Sequence, residues 1–269
     1  ANDRVTSDST PLLTVTAEPG AALKVGQNGV ETTVPYTVVE STSTPGTYTV
    51  TFTQALPDGT YGVRVIDAAG NFDPTSAAAA RFTVDNIAPS ATVAFGASAL
   101  SDAVSTTPVT ITFSEKPVGF DPASDLEVGP GGTLGAGTFD ASGKVWTAAY
   151  TAQDDFTGGG WVMLKNQSYT DAAGNPGAGQ GADVGIDTAN PAVTITDNRP
   201  TVTNGAITYT FTFSEPVTGF AADDVVVGKG SKGDFAASTV PTEVGRVYTL
   251  VVTPDTDFEG NVTVNVQPG

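Results

Sequence analysis

The chain has 269 residues, 29 acidic against 11 basic side chains, a formal net charge of −18, and neither cysteine nor histidine. This composition excludes thiol nucleophiles, disulfides, zinc–thiolate sites and any catalytic triad built on histidine. So acidic a surface, with no basic stripe, argues against nucleic-acid binding but attracts hard cations that prefer oxygen ligands. The alternative is that the acidic side chains only keep the chain soluble.

The sequence has no basic-then-apolar leader and no apolar run long enough to span a bilayer. It opens with Ala1-Asn2-Asp3 and stops in mid-pattern, which favours a fragment of a longer exported protein. The absence of cysteine suits passage through a bacterial envelope, although cytosolic proteins also lack it.

In chain order, the predicted elements are strands. Apolar side chains alternate with other residues in residues 61–65, 109–113 and 207–213, and no window shows helical spacing. Residues 56–61 resemble the tyrosine corner of an immunoglobulin-type strand F. The sequence therefore predicts an all-β chain of antiparallel sandwiches.

Three motifs recur about 100 residues later, the size of one immunoglobulin-type sandwich. They occupy residues 111–120 and 211–220, residues 67–71 and 171–175, and residues 85–89 and 187–191. We therefore predict three tandem immunoglobulin-like β-sandwich domains forming an extended rod.

The predicted domains are residues 1–88, 89–190 and 191–269. The first is expected to lack its opening strand, and the third lacks the Asp-Ala-Ala-Gly-Asn motif and its final strand. Each boundary is too short for free motion, so adjacent domains are expected nearly to touch.

Three segments of acidic residues converge in this topology. Glu115 ends predicted strand B, residues 171–175 form the F–G turn of the same domain, and Asp85 lies in the incoming linker. These segments share one pole of the sandwich, where carboxylate and amide oxygens suit calcium. We therefore predict a calcium site formed by Asp85, Glu115, Asp171 and Asn175.

Asp187 and Glu215 repeat this pattern at the next boundary. Further candidate ligands are Asp125, Asp224, Asp67, Asn71 and Glu18. Glu18 is the doubtful member, because the apolar phase of its strand is offset by one residue. Each motif also has a reading without metal: a tight turn, a linker before proline, or a solvated charge.

We find no catalytic or cofactor-binding constellation, and we expect no enzyme activity. Glycines 158–160 lack the lysine and helix of a phosphate loop. Adjacent acids such as Asp154 and Asp155 point to opposite faces of a strand and cannot share a glycosidase site. Trp146 and Trp161 allow a sugar-stacking platform, but core filling is the stronger interpretation for at least one of them.

The motifs Phe-Ser-Glu-Pro-Val-Thr-Gly-Phe, Asp-Ala-Ala-Gly-Asn and Val-Asp-Asn-Ile-Ala-Pro resemble those of bacterial Ig-like repeats in giant RTX-type and biofilm adhesins. The resemblance covers essentially the whole chain and is clearest beyond residue 88, the first domain looking like a related subtype. It implies display on the bacterial cell surface, long tandem arrays and calcium near domain junctions.

The expected function is thus a calcium-stiffened spacer that supports cell adhesion and biofilm formation. Its expected partners are calcium ions and neighbouring repeats, with no nucleic acid, no membrane insertion in this fragment and a monomeric state. Two other functions stay open: a glycan- or protein-binding module, and an accessory domain of a secreted polysaccharide-degrading enzyme.

Overall fold

The computed structural model describes residues 4–27, 30–67, 69–71, 81–199, 203 and 205–267. The chain divides into two compact units, Ala1–Thr188 and Ala189–Gly269. The first unit contains two sandwiches and the second unit contains one. Within the described residues, no helix is long and apolar enough to cross a membrane.

The first sandwich pairs a five-stranded sheet, in the order β1-β8-β7-β3-β4, with a three-stranded sheet, β2-β6-β5. Its strands are β1 (Arg4–Thr6), β2 (Leu13–Thr16), β3 (Ala22–Gln27), β4 (Val30–Glu31), β5 (Tyr36–Glu40), β6 (Thr47–Phe52), β7 (Gly59–Ile66) and β8 (Arg81–Val84). Alternate residues of both sheets face each other, so that Val25, Val50 and Val63 are buried between them.

The second sandwich pairs the sheet β13-β15-β11-β9 with the sheet β10-β17-β16-β12, and β14 joins the first of these at β15. Its elements are β9 (Ala91–Phe95), β10 (Ala99–Ser101), β11 (Thr106–Phe113), helix α1 (Pro122–Asp125), β12 (Leu126–Val128), β13 (Gly132–Leu134), β14 (Thr138–Phe139), β15 (Val145–Ala152), β16 (Thr157–Leu164) and β17 (Gln180–Asp187). Ile111, Trp146 and Val162 are buried in its core.

The third sandwich, in the second unit, pairs the sheet β18-β19-β22-β21 with a two-stranded sheet, β20-β23. Its elements are β18 (Val193–Asp197), β19 (Ile207–Phe213), a 3-10 helix (Ala222–Asp224), β20 (Val225–Gly228), β21 (Gly230–Ala237), β22 (Val247–Pro254) and β23 (Thr263–Val266). Phe211, Leu250 and Val252 form its buried centre.

The all-β prediction and the tandem immunoglobulin-like fold are confirmed. The alternation in residues 109–113 correctly predicted which side chains are buried, because Val109, Ile111 and Phe113 are each at most 2% exposed. The tyrosine corner is also confirmed, because the Tyr61 hydroxyl donates to the Pro57 carbonyl at 2.7 Å.

The opening strands differ between the first two sandwiches. In the second, β9 pairs with β11 and β10 runs parallel to β17. In the first, β1 runs parallel to β8 and so takes the place of β10. The part of the chain that the structure describes contains no counterpart of β9 beside β2.

Candidate metal centre in the first unit

Three carboxylates from separate segments meet where the first sandwich passes into the second. Asp85 follows β8, Glu115 lies two residues beyond β11, and Asp171 stands between β16 and β17. Each offers one oxygen, and the three oxygens lie within 4.8 Å of one another. Asp171 is only 1% exposed, and the other two residues are half-buried.

The turn of residues 171–175 holds the Asp171 carboxylate in place. Its Oδ1 accepts the Asn175 backbone N–H at 2.9 Å, and its Oδ2 accepts the Asn175 side-chain amide at 2.8 Å. The Asp171 N–H donates to the Asn175 carbonyl at 3.1 Å, which closes the turn. Gly174 has φ +92°, a left-handed conformation that glycine adopts without strain.

Two hydrogen bonds tie this turn to the first sandwich. The Asn175 side-chain amide donates to the Asp85 carbonyl at 2.7 Å, and the Ser7 N–H donates to the Ala173 carbonyl at 3.2 Å. Asp85 is itself fixed to β1, because its N–H donates to the Thr6 carbonyl at 3.0 Å. The three carboxylates therefore lie at a contact between consecutive sandwiches that hydrogen bonds stabilise.

The close approach of the three carboxylates shifts the pKa of Glu115. Burial raises its pKa above the usual value, and the negative charges of Asp171 and Asp85 raise it further. The ammonium of Lys144 opposes this shift. Lys144 is held nearby by donating to the Ser114 carbonyl at 3.1 Å. The carboxylates thus repel one another when all are ionised.

The donor chemistry of this cluster fits calcium. All three side chains offer oxygen, and calcium takes six to eight oxygens from carboxylates, carbonyls and water. Zinc prefers nitrogen and sulfur ligands, which the cluster does not contain. The cluster therefore has the composition of a partial calcium-binding shell that carbonyls and water would complete.

Asn175, predicted as a ligand, makes two side-chain hydrogen bonds, and its binding of a metal stays a prediction. Its side-chain nitrogen is committed to two acceptors, the Asp171 carboxylate and the Asp85 carbonyl. Asn175 therefore positions the two aspartates relative to each other.

Asp125 and Asp224, predicted as helper ligands, accept backbone hydrogen bonds at short helical turns, and their binding of a metal stays a prediction. Asp125 accepts the Asp121 N–H at 2.7 Å and the Ser124 hydroxyl at 2.9 Å, and Asp224 accepts the Ala221 N–H at 2.9 Å. The Gly-Phe motif precedes each turn, so the two domains share this hydrogen bond between an acidic side chain and the backbone.

Asp67 and Asn71 form a second copy of the turn, with Asn71 donating its backbone and side-chain N–H groups to Asp67. These bonds, chiefly that from the Asn71 side chain, lower the pKa of Asp67. Asp187 lies in the first unit, where its carboxylate accepts the Thr157 hydroxyl at 2.9 Å, and Glu215 lies in the second. Their joint role at a metal site stays a prediction.

Glu18 does not occupy the position of Glu115. The Ala17 N–H donates to the Gly46 carbonyl, as the Phe113 N–H donates to the Lys144 carbonyl. This register aligns Glu18 with Ser114, one residue away from the predicted correspondence. The one-residue offset of the apolar residues in this strand had already indicated that the predicted alignment was shifted.

The sequence interpretation missed Lys144 and Ser7. Lys144 reaches the cluster from β14–β15, and only the pairing of β15 with β11 brings it beside Ser114. Ser7 contributes its backbone N–H, which carries no side-chain signature. Of the two tryptophans, Trp146 is buried in the core, whereas Trp161 is half-buried on the outer sheet face over Gly129.

Facing antiparallel sheets with a tyrosine corner and a final strand beside strand F define immunoglobulin-like sandwiches. One model described as bacterial Ig-like domain matches residues 85–186 and 187–269, and a second model with that description matches residues 1–86. The chain belongs to the bacterial Ig-like domain family. The match of a separate model to the first segment agrees with its expected subtype.

Among solved structures, invasin, a bacterial integrin-binding protein, is 15% identical with a TM-score of 0.40; the match covers 98% of this chain and 55% of invasin. The Yersinia pseudotuberculosis adhesin InvE is 16% identical with a TM-score of 0.28, over 66% of this chain and 58% of InvE. Domains A168–A170 of titin are 14% identical with a TM-score of 0.28, over 99% and 85%. No curated protein sequence matches the chain. These similarities carry no functional information about this chain.

Proposed function

We propose that the chain is a spacer segment of a bacterial surface adhesin, in which calcium joins consecutive Ig-like domains. The observation that carries the proposal is the convergence of Asp85, Glu115 and Asp171 from three segments onto one point of the contact between two sandwiches. A partly buried cluster of like charges is unfavourable unless a cation or a proton neutralises it.

Asp85, Glu115 and Asp171 would hold the ion through their carboxylate oxygens. Bound calcium would supply the positive charge that removes their mutual repulsion. Asn175 keeps Asp171 aimed at the site and holds the Asp85 carbonyl, so that the linker and the F–G turn move together. Without the ion, repulsion among the three acids would loosen this contact.

Apart from stiff junctions, a spacer needs only to stay soluble and to avoid unwanted binding. The remaining acidic side chains keep a displayed chain soluble and repel polyanions. Stiff junctions would hold an adhesive tip away from the cell surface, which is the role that we propose in adhesion and biofilm formation. The repeated Asp187 and Glu215 motif would extend the same device to the next boundary.

Thermal unfolding in calcium and in chelator tests the proposal. We expect wild type to melt at higher temperature as calcium rises, because a ligand that binds only the folded state stabilises it by mass action. Glu115→Gln should lose most of this response. Glu127→Gln, a matched change at an exposed glutamate of β12, should keep it.

An identical calcium response in Glu115→Gln and Glu127→Gln would place the bound ions elsewhere. No response in wild type would contradict the calcium proposal altogether.

A further inference from the structure

The second and third sandwiches each hold a basic side chain close to the glutamate of the Phe-Ser-Glu motif. Lys144, directly before β15, donates from its ammonium to the Ser114 carbonyl at 3.1 Å. Arg246, directly before β22, donates from its guanidinium to the Ser214 carbonyl. Each serine directly precedes the glutamate of its motif. In both sandwiches, a hydrogen bond therefore ties a cation to the residue next to this glutamate.

The strand register shows that the two basic residues are equivalent. The Phe113 N–H donates to the Lys144 carbonyl at 2.9 Å, and the Phe213 N–H donates to the Arg246 carbonyl at 2.8 Å. One side chain carries an ammonium and the other a guanidinium, which differ in shape and in hydrogen bonding. The two sandwiches thus share a positive charge at this position rather than one particular side chain.

Both members of this pair are replaced in the first sandwich. The Ala17 N–H donates to the Gly46 carbonyl at 2.8 Å, which places Gly46 where Lys144 stands in the second sandwich. The same register places Pro19 at the position of Glu115. The φ of Gly46 is +84°, and a Cβ added there would lie 2.5 Å from the Ala17 carbonyl oxygen. The basic residue is therefore found where the glutamate is found and is replaced where the glutamate is replaced.

The charge of Lys144 acts on the carboxylate cluster. The pKa of Glu115 is raised by burial and by the charges of Asp171 and Asp85, and the Lys144 ammonium opposes this shift. A cation near the carboxylates offsets part of their mutual repulsion before any metal binds. It also repels a divalent ion that approaches the same oxygens. Because Lys144 is exposed, both effects are moderate and depend on salt.

We infer that Lys144 is a built-in counter-ion that sets the calcium concentration at which the junction binds its ion, and that Arg246 has the same role beside Glu215. The inference rests on the proposed calcium site. Lys144 stabilises the ion-free junction and weakens calcium binding, and both effects raise the calcium concentration that is needed. The carboxylates make the site able to bind calcium, and the basic residue determines at which concentration it does so.

A calcium titration of the 269-residue chain, followed by NMR at the Asn175 amide, tests this role. Lys144→Met removes the charge and keeps the apolar stem of the side chain. At low salt it should bind calcium at least about threefold more tightly than wild type, because a nearby positive charge is removed. High salt should shrink this difference, because it screens exposed charges.

Lys165→Met is the matched control and should bind calcium as wild type does. The Lys165 ammonium also donates to a serine carbonyl, that of Ser124 at 2.7 Å, but it lies 3.8 Å from Glu127. The control therefore loses the same charge and the same kind of hydrogen bond beside a different carboxylate.

Unfolding in chelator tests the counter-ion without metal. At pH 7 and low salt, Lys144→Met should melt at lower temperature than wild type. The loss should shrink in the Glu115→Gln background, because the charge that Lys144 offsets is then absent. If Lys144 acted only through its hydrogen bond to Ser114, the loss would be the same in both backgrounds.

The outcomes separate this inference from the proposed function. Tighter calcium binding by Lys144→Met, together with a smaller loss of stability in the Glu115→Gln background, supports the inference. Equal calcium affinity in wild type, Lys144→Met and Lys165→Met, or an equal loss in both backgrounds, would overturn the inference alone. No calcium binding by wild type would contradict the proposed function and the role of Lys144 together.

Discussion

At the scale of single residues, the charge on Glu115 sets how the stability of the junction depends on pH in the absence of calcium. The pKa of Glu115 is raised in the folded chain, so the folded state holds this proton more tightly than the unfolded state does. Ionisation of Glu115 therefore costs stability as pH rises from its ordinary value of 4.5 through the raised value. Below 4.5, where both states are protonated, this cost is absent.

We therefore expect Glu115→Gln to melt at higher temperature than wild type at pH 7 in chelator, and at the same temperature at pH 4. In excess calcium at pH 7 the order should reverse, because the variant lacks one ligand. Unfolding curves under these three conditions, with Glu127→Gln as control, give the comparison. A Glu115→Gln protein that is less stable than wild type in chelator at pH 7 would refute the account of repulsion.

Two buried tyrosines of the first unit differ in the fate of their hydroxyl groups. The Tyr61 hydroxyl donates to the Pro57 carbonyl, whereas the Tyr150 hydroxyl, in a side chain that is 0% exposed, has no hydrogen-bond partner among the residues that the structure describes. A satisfied hydrogen bond contributes about 1 kcal/mol, and burying an unsatisfied hydroxyl costs about 1–3 kcal/mol.

Tyr61→Phe should therefore lower the free energy of unfolding by about 1 kcal/mol. Tyr150→Phe should leave it unchanged or raise it by up to about 1 kcal/mol. Chemical denaturation of both variants provides the measurement, each serving as the other's control. A larger loss from Tyr150→Phe than from Tyr61→Phe would show that the Tyr150 hydroxyl is bonded in solution.

At the scale of elements, the two Asp-Ala-Ala-Gly-Asn turns differ in their contacts: one bonds within itself, and the other also binds the linker between two sandwiches. Asn71 and Asn175 make the same hydrogen bonds to the aspartate that opens their turn, but only Asn175 also reaches the Asp85 carbonyl. Asn71→Ala should affect its own turn alone. Asn175→Ala should in addition free the linker that carries Asp85.

Hydrogen exchange measures this difference. We expect faster exchange at the Asp85 and Ser7 amides in Asn175→Ala and unchanged exchange at both in Asn71→Ala. The cost in stability of removing the bond to Asp85 is about 1 kcal/mol. Equal exchange at these amides in both variants would mean that Asn175 does not hold the linker.

The sequence predicted the strands and the convergence of the three carboxylates correctly where a pattern had only one structural explanation. Alternation in residues 109–113 fixed which side chains are buried, and the convergence of Asp85, Glu115 and Asp171 followed from strand direction alone. At Asp125 and Asp224 the repeat has two physical meanings, because an acid after Gly-Phe accepts backbone hydrogen bonds at a helical turn as readily as it binds metal. Lys144 was beyond prediction, since its place beside Ser114 depends on the register of β15 against β11.

At the scale of the whole molecule, the formal charge of −18 makes cation binding and stability interdependent. A junction site whose ligands come from two sandwiches binds calcium only when the two are in contact. At a hundredfold excess of free calcium over its dissociation constant, one such site contributes about 2.7 kcal/mol. Calcium would then act on the contact between domains more than on any single core.

The stoichiometry of calcium binding tests whether this device is repeated. If Asp85 and Asp187 each serve one junction, wild type should bind two ions by calorimetry, each single Asp→Ala variant one, and the double variant none. Each sandwich should stay folded in all three variants, because its core lies elsewhere, and circular dichroism checks this. Small-angle scattering on the same samples should show a longer particle in calcium than in chelator for wild type and no difference for the double variant. Two ions retained in Asp85→Ala, or one scattering profile shared by every sample, would reduce the acidic junctions to solvated turns and leave the spacer without its calcium mechanism.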